Sequence, residues 1–288
     1  MSERAPYAAG EAPRGGETTI IVENLSFSYP GSVRPALRGV DVRLERGTIY
    51  AVLGRNGSGK STFARCLNAL LTPSGGRVVS CGFDTRDPAS RSEVRKRLAM
   101  IFQDPDTQIV GTSVEEEVAF GPENLGLEPR VIRKRVDAAL EMAGIVGLSA
   151  RQPLRLSQGQ KQLVAIAGAL AMEPAFLISD ESTSMLDSSA RARILDLFAG
   201  LADNGVGVVH VTHFMEEAAL ADEVIVLDEG SVAASGPPAE VLRDPYTVAA
   251  MGLEPLPVTL VAKELGLLGC PPPPDVLTAK ELLSWLSA

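Results

Sequence analysis

Cysteine is scarce in this chain, and no stretch of it is apolar for long. Three cysteines among 288 residues, Cys66, Cys81 and Cys270, are odd in number and fall in no metal-ligand spacing. Neither a disulfide framework nor a zinc site is therefore expected, and a reducing cytosol is the simplest setting. The longest apolar run near the most distinctive polar loop, Leu163 to Met172, is stopped by Glu173 and Pro174 and is too short to cross a bilayer. The opening "MSERAPYAAGEAPRGGE" has no apolar core, so residues 1–17 are expected to be a disordered tail rather than a signal peptide. An excess of positive charge is missing too. The net charge of −9 keeps the protein soluble and argues against broad nucleic-acid binding. No internal repeat is visible.

What is present is an ordinary apolar share of 45%, enough for a globular core. From about Thr18 the pattern becomes regular. "TTIIVENLSFSYP" and "GTIYAVLG" read as strands, and "KSTFARCLNALL" as a helix with Phe63, Leu67, Leu70 and Leu71 on one face. "RLAMIFQ" is another short apolar strand. Residues from about 104 to 171 then turn charged and mostly helical, with "VEEEVAF" and "VIRKRVDAALEMAGI" amphipathic, as a helical insertion would be. Strands return in "AFLISDE", "VGVVHVTH" and "EVIVLDEG", the last turning across Glu229-Gly230 into a hairpin. Strands alternating with helices predict a largely parallel, doubly wound sheet. Past Tyr246, "LPVTLVAKELGLLG" and "TAKELLSWLSA" flank a stiff "PPPP" run, predicting a small C-terminal helical appendage.

The chemistry starts at "GRNGSGKS". Gly54 to Ser61 match the phosphate-binding loop pattern, with a buried strand before and a helix after. The glycines let successive N–H groups turn inward on phosphates, and the helix N-terminus favours the anion. Lys60 is expected to reach the β- and γ-phosphates and Ser61 to ligate Mg²⁺. "FLISD" ends an apolar strand on Asp180, placed to hold the metal through water. Glu181 follows and would project opposite Asp180 if the strand continued, toward an attacking water. Ser179 is a polar residue within that strand which alternation could aim away from the core. His213 ends a third strand where a γ-phosphate sensor would sit, while His210 lies within the strand as a structural residue. Gln103 is either a loop glutamine or a link between nucleotide and insertion.

"LSQGQKQ", residues 156–162, opens a small-residue helix far along the chain from the phosphate loop. A serine nucleophile at Ser157 fails for want of a base, because the chain's only two histidines both lie in the strand near 210 that the phosphate site uses.

The ordered set "GRNGSGKS", "IFQ", "LSQGQ", "FLISDES", "SMLD", "VTH" resembles an ATP-binding cassette ATPase over about residues 18–243. The resemblance implies an α/β P-loop NTPase fold: a RecA-like core with a mostly parallel sheet, an antiparallel β subdomain and the helical insertion. It also implies ATP and Mg²⁺ as ligands. Nucleotide contacts would come from Tyr29, stacking on adenine, and from Gly54, Arg55, Asn56, Gly57, Ser58, Gly59, Lys60, Ser61 and Thr62. Glu181 becomes the general base, His213 the switch histidine, and Gln103 the Q-loop glutamine that joins Ser61 and Asp180 around the metal. In this family two cassettes pack head to tail. Ser157, Gln158, Gly159 and Gln160 would serve the partner's nucleotide, with Asp187 at the dimer interface.

A narrower likeness is carried by "FQDPDTQIVGTSVEEEVAFGPENLGL", "KQLVAIAGALAMEP" and "DESTSMLD", which look like the ATPase subunits of energy-coupling factor transporters. Residues 244–288 resemble the extra domain of those subunits. The likeness implies uptake of a vitamin or a transition-metal ion. It also implies a second cassette subunit, more readily a heterodimer than a homodimer, with a transmembrane coupling subunit and a substrate-binding membrane subunit. The place would be the cytoplasmic face of the cell membrane, without nucleic acid. Two positions depart from the pattern: Gln158 stands where glycine is usual, and Leu163 where arginine is common. A soluble cassette protein acting on DNA or ribosomes is the rival, but the chain has neither a long coiled-coil insertion nor a second cassette. A kinase or GTPase would leave "LSQGQ" and "VTH" unexplained.

Overall fold

The computed structural model describes residues 18–273 and 275–287. The tail expected over residues 1–17 lies outside the described residues, as does Pro274 of the proline run. Two sheets carry the fold. The first is antiparallel, with β1 (Thr19–Phe27), β2 (Leu37–Glu45), β4 (Gly75–Ser80) and β5 (Phe83–Asp84) in the order β2-β1-β4-β5. The second holds β3 (Ile49–Leu53), β6 (Leu98–Ile101), β7 (Phe176–Asp180), β8 (Gly207–Val211), β9 (Glu223–Asp228) and β10 (Ser231–Gly236). Its order is β10-β9-β3-β8-β7-β6, and every pairing is parallel except β10 on β9.

The parallel strands are covered on both faces, which is why β6, β7 and β8 are wholly buried and read as unbroken apolar runs. Alternate residues feed different cores. Phe176, Ile178 and Val209 join a cluster with α1 (Lys60–Leu67) and the antiparallel sheet. Leu177 and Val208 face a second cluster, built with the helical insertion. Between β5 and β6 lies the short α2 (Arg91–Arg97). The insertion consists of α3 (Val114–Asn124), α4 (Pro129–Met142) and α5 (Gln158–Ala171). After β7 comes α6 (Ser188–Asp203), which joins the second cluster through Ile194, Phe198 and Leu201.

One local expectation fails. The apolar face predicted through Leu70 is not formed: α1 stops at Leu67, Ala69 turns left-handed (φ 55°), and Leu70 is 40% exposed. Leu71 still packs at the margin of the first core. The C-terminal segment is helical and packs on the second sheet. After α7 (Met215–Ala218) and α8 (Pro238–Val241), it forms α9 (Pro245–Ala250), α10 (Pro257–Leu267) and α11 (Ala279–Leu286). Val248, Leu256, Val258, Val276, Leu277 and Leu282 share a buried cluster with Ala51 and Leu53 of β3 and with Val224 and Val226 of β9. Apolar burial fixes this segment to the sheet that carries the phosphate loop.

Candidate nucleotide site

In an open parallel sheet, ligand-binding loops gather at the carboxyl ends of the strands. Here β3 delivers the phosphate loop, β6 delivers Gln103, β7 delivers Asp180 and Glu181, and β8 delivers His213.

The phosphate loop has the shape its glycines permit. A side chain at Gly54 would meet the Leu227 carbonyl at 2.2 Å, and one at Gly59 the Ala36 carbonyl at 2.5 Å, both with φ in the left-handed half of the map. Only glycine fits either position. The loop ends on Gly59, the N-cap of α1, which has no side-chain cap, so the first amides of the helix remain for an anion. Lys60 folds back over the loop, and its Nζ donates to the carbonyls of Gly54 (2.8 Å) and Arg55 (3.1 Å). Burial lowers the pKa of its ammonium, opposed by the nearby charges of Glu181 and Asp180. Ser58 is 4% exposed and its Oγ has no hydrogen-bond partner among the described residues. Arg55, Asn56 and Gly57 are exposed at the tip of the loop, while Thr62 is buried.

Ser61 Oγ donates to Asp180 Oδ1 at 2.8 Å. Burial raises the Asp180 pKa, opposed by the Ser61 hydrogen bond. A hydroxyl and a carboxylate at a helix N-terminus are the hard-oxygen donor set that suits Mg²⁺, an ion that takes few protein ligands and completes its shell from phosphates and water. The residues present therefore fit the ion. Among the described residues no group of three or more His, Cys, Asp or Glu side chains could cage a metal instead.

A groove of about 370 Å³ lies over this loop, lined by Tyr29, Ala36, Asn56, Gly57, Gly59, Lys60, Ser61, Thr62 and Glu181. Tyr29 stands at its edge, 41% exposed, with its hydroxyl 3.0 Å from Thr62 Oγ1 and its ring edge-on to Phe27. Ala36, which the sequence pattern did not single out, joins the groove because the loop before β2 crosses above Gly59.

Glu181 enters the groove by a different route from the one expected. β7 stops at Asp180, so strand alternation does not aim the Glu181 side chain; a left-handed backbone (φ 52°) does. Its N–H donates to the Val211 carbonyl at 3.0 Å, which pins the kink to β8. A non-glycine residue held at positive φ is costly and persists only where its surroundings enforce it. His213 lies two residues past the end of β8 rather than at its last position; it is half exposed, with Nδ1 3.9 Å from Glu181 Oε2. Gln103 is exposed and donates to Ser184 Oγ at 3.4 Å, in the segment following Glu181.

The second set of expected residues is elsewhere. Ser157 is the N-cap of α5 in a capping box: its Oγ accepts from the Gln160 N–H, and Gln160 Oε1 accepts from the Ser157 N–H. Gln158 is the exposed first residue of that helix, in ordinary helical backbone, so no strain attends the missing glycine. At Gly159 a side chain would press on the Ala190 methyl at 3.0 Å. Asp187 caps α6, its Oδ1 accepting from the Ala190 N–H at 2.9 Å. None of these residues lines the groove. Leu163 is 4% exposed within the second core, so it replaces no surface charge in this chain.

Ser179 and His210 prove to be part of a buried polar cluster that the sequence pattern did not reveal. Ser179 is fully buried rather than aimed outward, with its Oγ in hydrogen-bond contact with Ser182 Oγ and 3.1 Å from His210 Nδ1. His210, as expected of a structural residue, is 2% exposed. Glu217 completes the cluster, and a carboxylate on the inward side of "MEEA" was the one available signal for it.

Fold and site together define a P-loop ATPase of the cassette kind. A protein-family model described as "ABC transporter" matches residues 37–184. The chain is 48% identical over 275 residues to the energy-coupling factor transporter ATP-binding protein EcfA1 of Symbiobacterium thermophilum, covering 93% of this chain and 96% of that one. It belongs to the ABC transporter family, among the energy-coupling factor transporter ATP-binding proteins, and is an ABC-type ATPase. Among solved structures, cbiO1 of Clostridium perfringens, described as part of the ABC transporter complex cbiONQ, superposes with a TM-score of 0.74 at 36% identity, over 87% of this chain and 98% of that one. The dimeric ATP-binding cassette MJ0796 in a post-hydrolysis state, bound to ADP and Pi, gives 0.69 at 28% identity over 76% of this chain and 98% of that one.

Proposed function

We propose that this ATPase powers an energy-coupling factor importer for a vitamin or a transition-metal ion, as one half of a cassette heterodimer on the cytoplasmic face of the membrane, beneath a coupling subunit and a substrate-binding subunit. The observation that carries the reading is the division of the site. Lys60, Ser61, Asp180 and Glu181 converge on one groove, whereas Ser157 stands at the exposed N-terminus of α5, outside it. A chain so arranged holds one phosphate site and offers a cap for another. The dimeric cassette at 28% identity and the cbiONQ component at 36% support both the pairing and the membrane assembly. Among the described residues no helix is long and apolar enough to cross a membrane, so transport would require separate membrane subunits.

In this reading Lys60 and the α1 amides bind and orient the phosphates, and Tyr29 stacks on the base. Ser61 and Asp180, with Gln103, would hold Mg²⁺, which when bound would neutralise phosphate charge. Glu181 takes a proton from the attacking water, and His213 orients the γ-phosphate end of the groove. ATP binding closes the pair and hydrolysis reopens it.

The test is Glu181→Gln. Turnover should be lost while ATP binding survives. In size-exclusion chromatography with ATP, the variant should form a stable dimer only when a second, different cassette is supplied. Hydrolysis at the wild-type rate would remove the assignment of the base, and a stable dimer of the variant alone would replace heterodimer by homodimer. Co-purification of membrane subunits from detergent extracts would identify the transporter.

A further inference from the structure

Behind the groove, a single carboxylate joins the two loops that carry Glu181 and His213. Glu217, on α7, is 4% exposed. Its Oε2 accepts from Thr183 Oγ1 at 3.0 Å and from Thr212 Oγ1, and lies 2.7 Å from His210 Nε2. Thr183 is two residues beyond Glu181, and Thr212 is immediately before His213; both are 1% exposed. With Nε2–H of His210 donating to Glu217, Nδ1 accepts from Ser179, which is itself in contact with Ser182 next to Glu181. From the other side, Arg191 of α6 places Nε 3.4 Å from Glu217 Oε1 and its guanidinium 3.7 Å from the centre of the Phe214 ring. Burial alone would raise the Glu217 carboxyl, but the hydrogen bonds from His210, Thr212 and Thr183 outweigh it and hold the pKa below the ordinary value.

A buried carboxylate is a costly way to fill space, since an apolar side chain would pack at no desolvation cost. Its geometry instead matches a positioning task. Glu181 sits in a left-handed kink that local preference disfavours, and His213 is on a loop beyond the last strand hydrogen bond, so both need an external reference. We propose that Glu217 is a positioning residue for ATP hydrolysis. By clasping Thr183 and Thr212 it sets the separation of the Glu181 and His213 loops. It never touches the nucleotide itself. This rests on the reading of Glu181 and His213 given above.

The experiment measures kcat and KM for ATP, nucleotide affinity and melting temperature for the full-length chain in its hydrolysis-competent assembly. Glu217→Ala should lower kcat about ten- to hundredfold, the scale of a loop displaced by an ångström. KM should stay within about threefold, because Lys60 and Tyr29 stand on other elements. Glu217→Gln keeps an acceptor oxygen for both threonines and should recover most of the loss. Thr183→Val and Thr212→Val, nearly isosteric, should each lower kcat without moving KM, and they carry the test if Glu217→Ala fails to fold. Wild-type kcat in both valine variants, or a kcat loss matched by an equal rise in KM and a proportionate fall in melting temperature, would overturn the proposal. Glu181→Gln runs alongside. If it retains turnover, the underlying site reading fails. If it is inactive while the Glu217 and threonine variants are normal, only the clasp fails.

Discussion

Lys60 shows how one residue serves two states. Its ammonium is satisfied by the Gly54 and Arg55 carbonyls of its own loop, at 2.8 and 3.1 Å, so the loop is held in shape around a buried charge. Binding a phosphate exchanges those neutral acceptors for a charged one, and hydrogen bonds to charged groups are the strong ones. Lys60→Ala should therefore weaken ATP binding itself by about ten- to hundredfold, read by titration with a fluorescent nucleotide analogue. Glu181→Gln should leave that titration unchanged. The contrast separates binding from chemistry at two positions that line the same groove. At this scale the sequence was most informative, because a phosphate loop is a continuous stretch whose backbone does most of the work. It was least informative at Glu181, whose direction is set by a kink hydrogen-bonded to the neighbouring strand rather than by alternation along its own.

Among the elements, α5 is the one on which the proposed pairing would bear most directly. Its capping box orders Ser157 and Gln160 without any ligand, and its buried face, from Gln162 to Ala171, is set in the helical insertion. The N-terminus of such a helix presents amides and a dipole to whatever anion approaches. Gln158 is exposed there and causes no strain, so on the pairing proposed above its effect would fall on the partner's nucleotide rather than on this chain's fold. Gln158→Gly should change the hydrolysis rate at the partner's nucleotide while leaving this chain's own ATP affinity and melting temperature nearly as they were. Single-site turnover in a mixed dimer, with one phosphate loop disabled at a time, would measure it. A change in this chain's own affinity would place the effect in the wrong site. The end of α1 carries the opposite lesson. The periodicity of "KSTFARCLNALL" ran on to Leu71, yet the helix stops at Leu67, where a left-handed Ala69 redirects the chain and Asn68 Nδ2 donates to the Leu98 carbonyl at 2.7 Å. That hydrogen bond is to a different element, and a periodic pattern cannot register it.

For the whole molecule, stability gathers from three cores, and the last binds residues beyond 243 to the strand that precedes the phosphate loop. Surface carboxylates add a pH-dependent part. The Asp84 carboxyl, hydrogen-bonded by Arg86, is held down from 3.8 to about 2, and the Asp244 carboxyl, bonded by Lys263 and Thr247, likewise to about 2. Both pKa values are depressed on folding, so both pairs contribute in full above the unfolded value of 3.8 and lose their contribution as the pH falls through about 2. Thermal melts between pH 5 and pH 2 should show a fall in melting temperature that is smaller in Arg86→Ala and in Lys263→Ala than in the wild type. Equal slopes in all three proteins would mean that other groups carry the acid response.

By itself the sequence determined what is local: the phosphate loop, the acids at a strand end, the capped polar loop before a small-residue helix, and the alternation that makes a parallel sheet. Each is written in consecutive residues whose backbone needs are met where they stand. Only the tertiary structure decided what depends on distant elements meeting. It brought Ala36 over Gly59, turned Glu181 into the groove, packed the C-terminal helices on β3 and β9, and gathered Thr183, Thr212, His210 and Arg191 around the buried Glu217 of α7. Hydrogen bonds and apolar contacts between residues far apart in the chain leave no period and no spacing to read, so their partners become known only when the chain is folded.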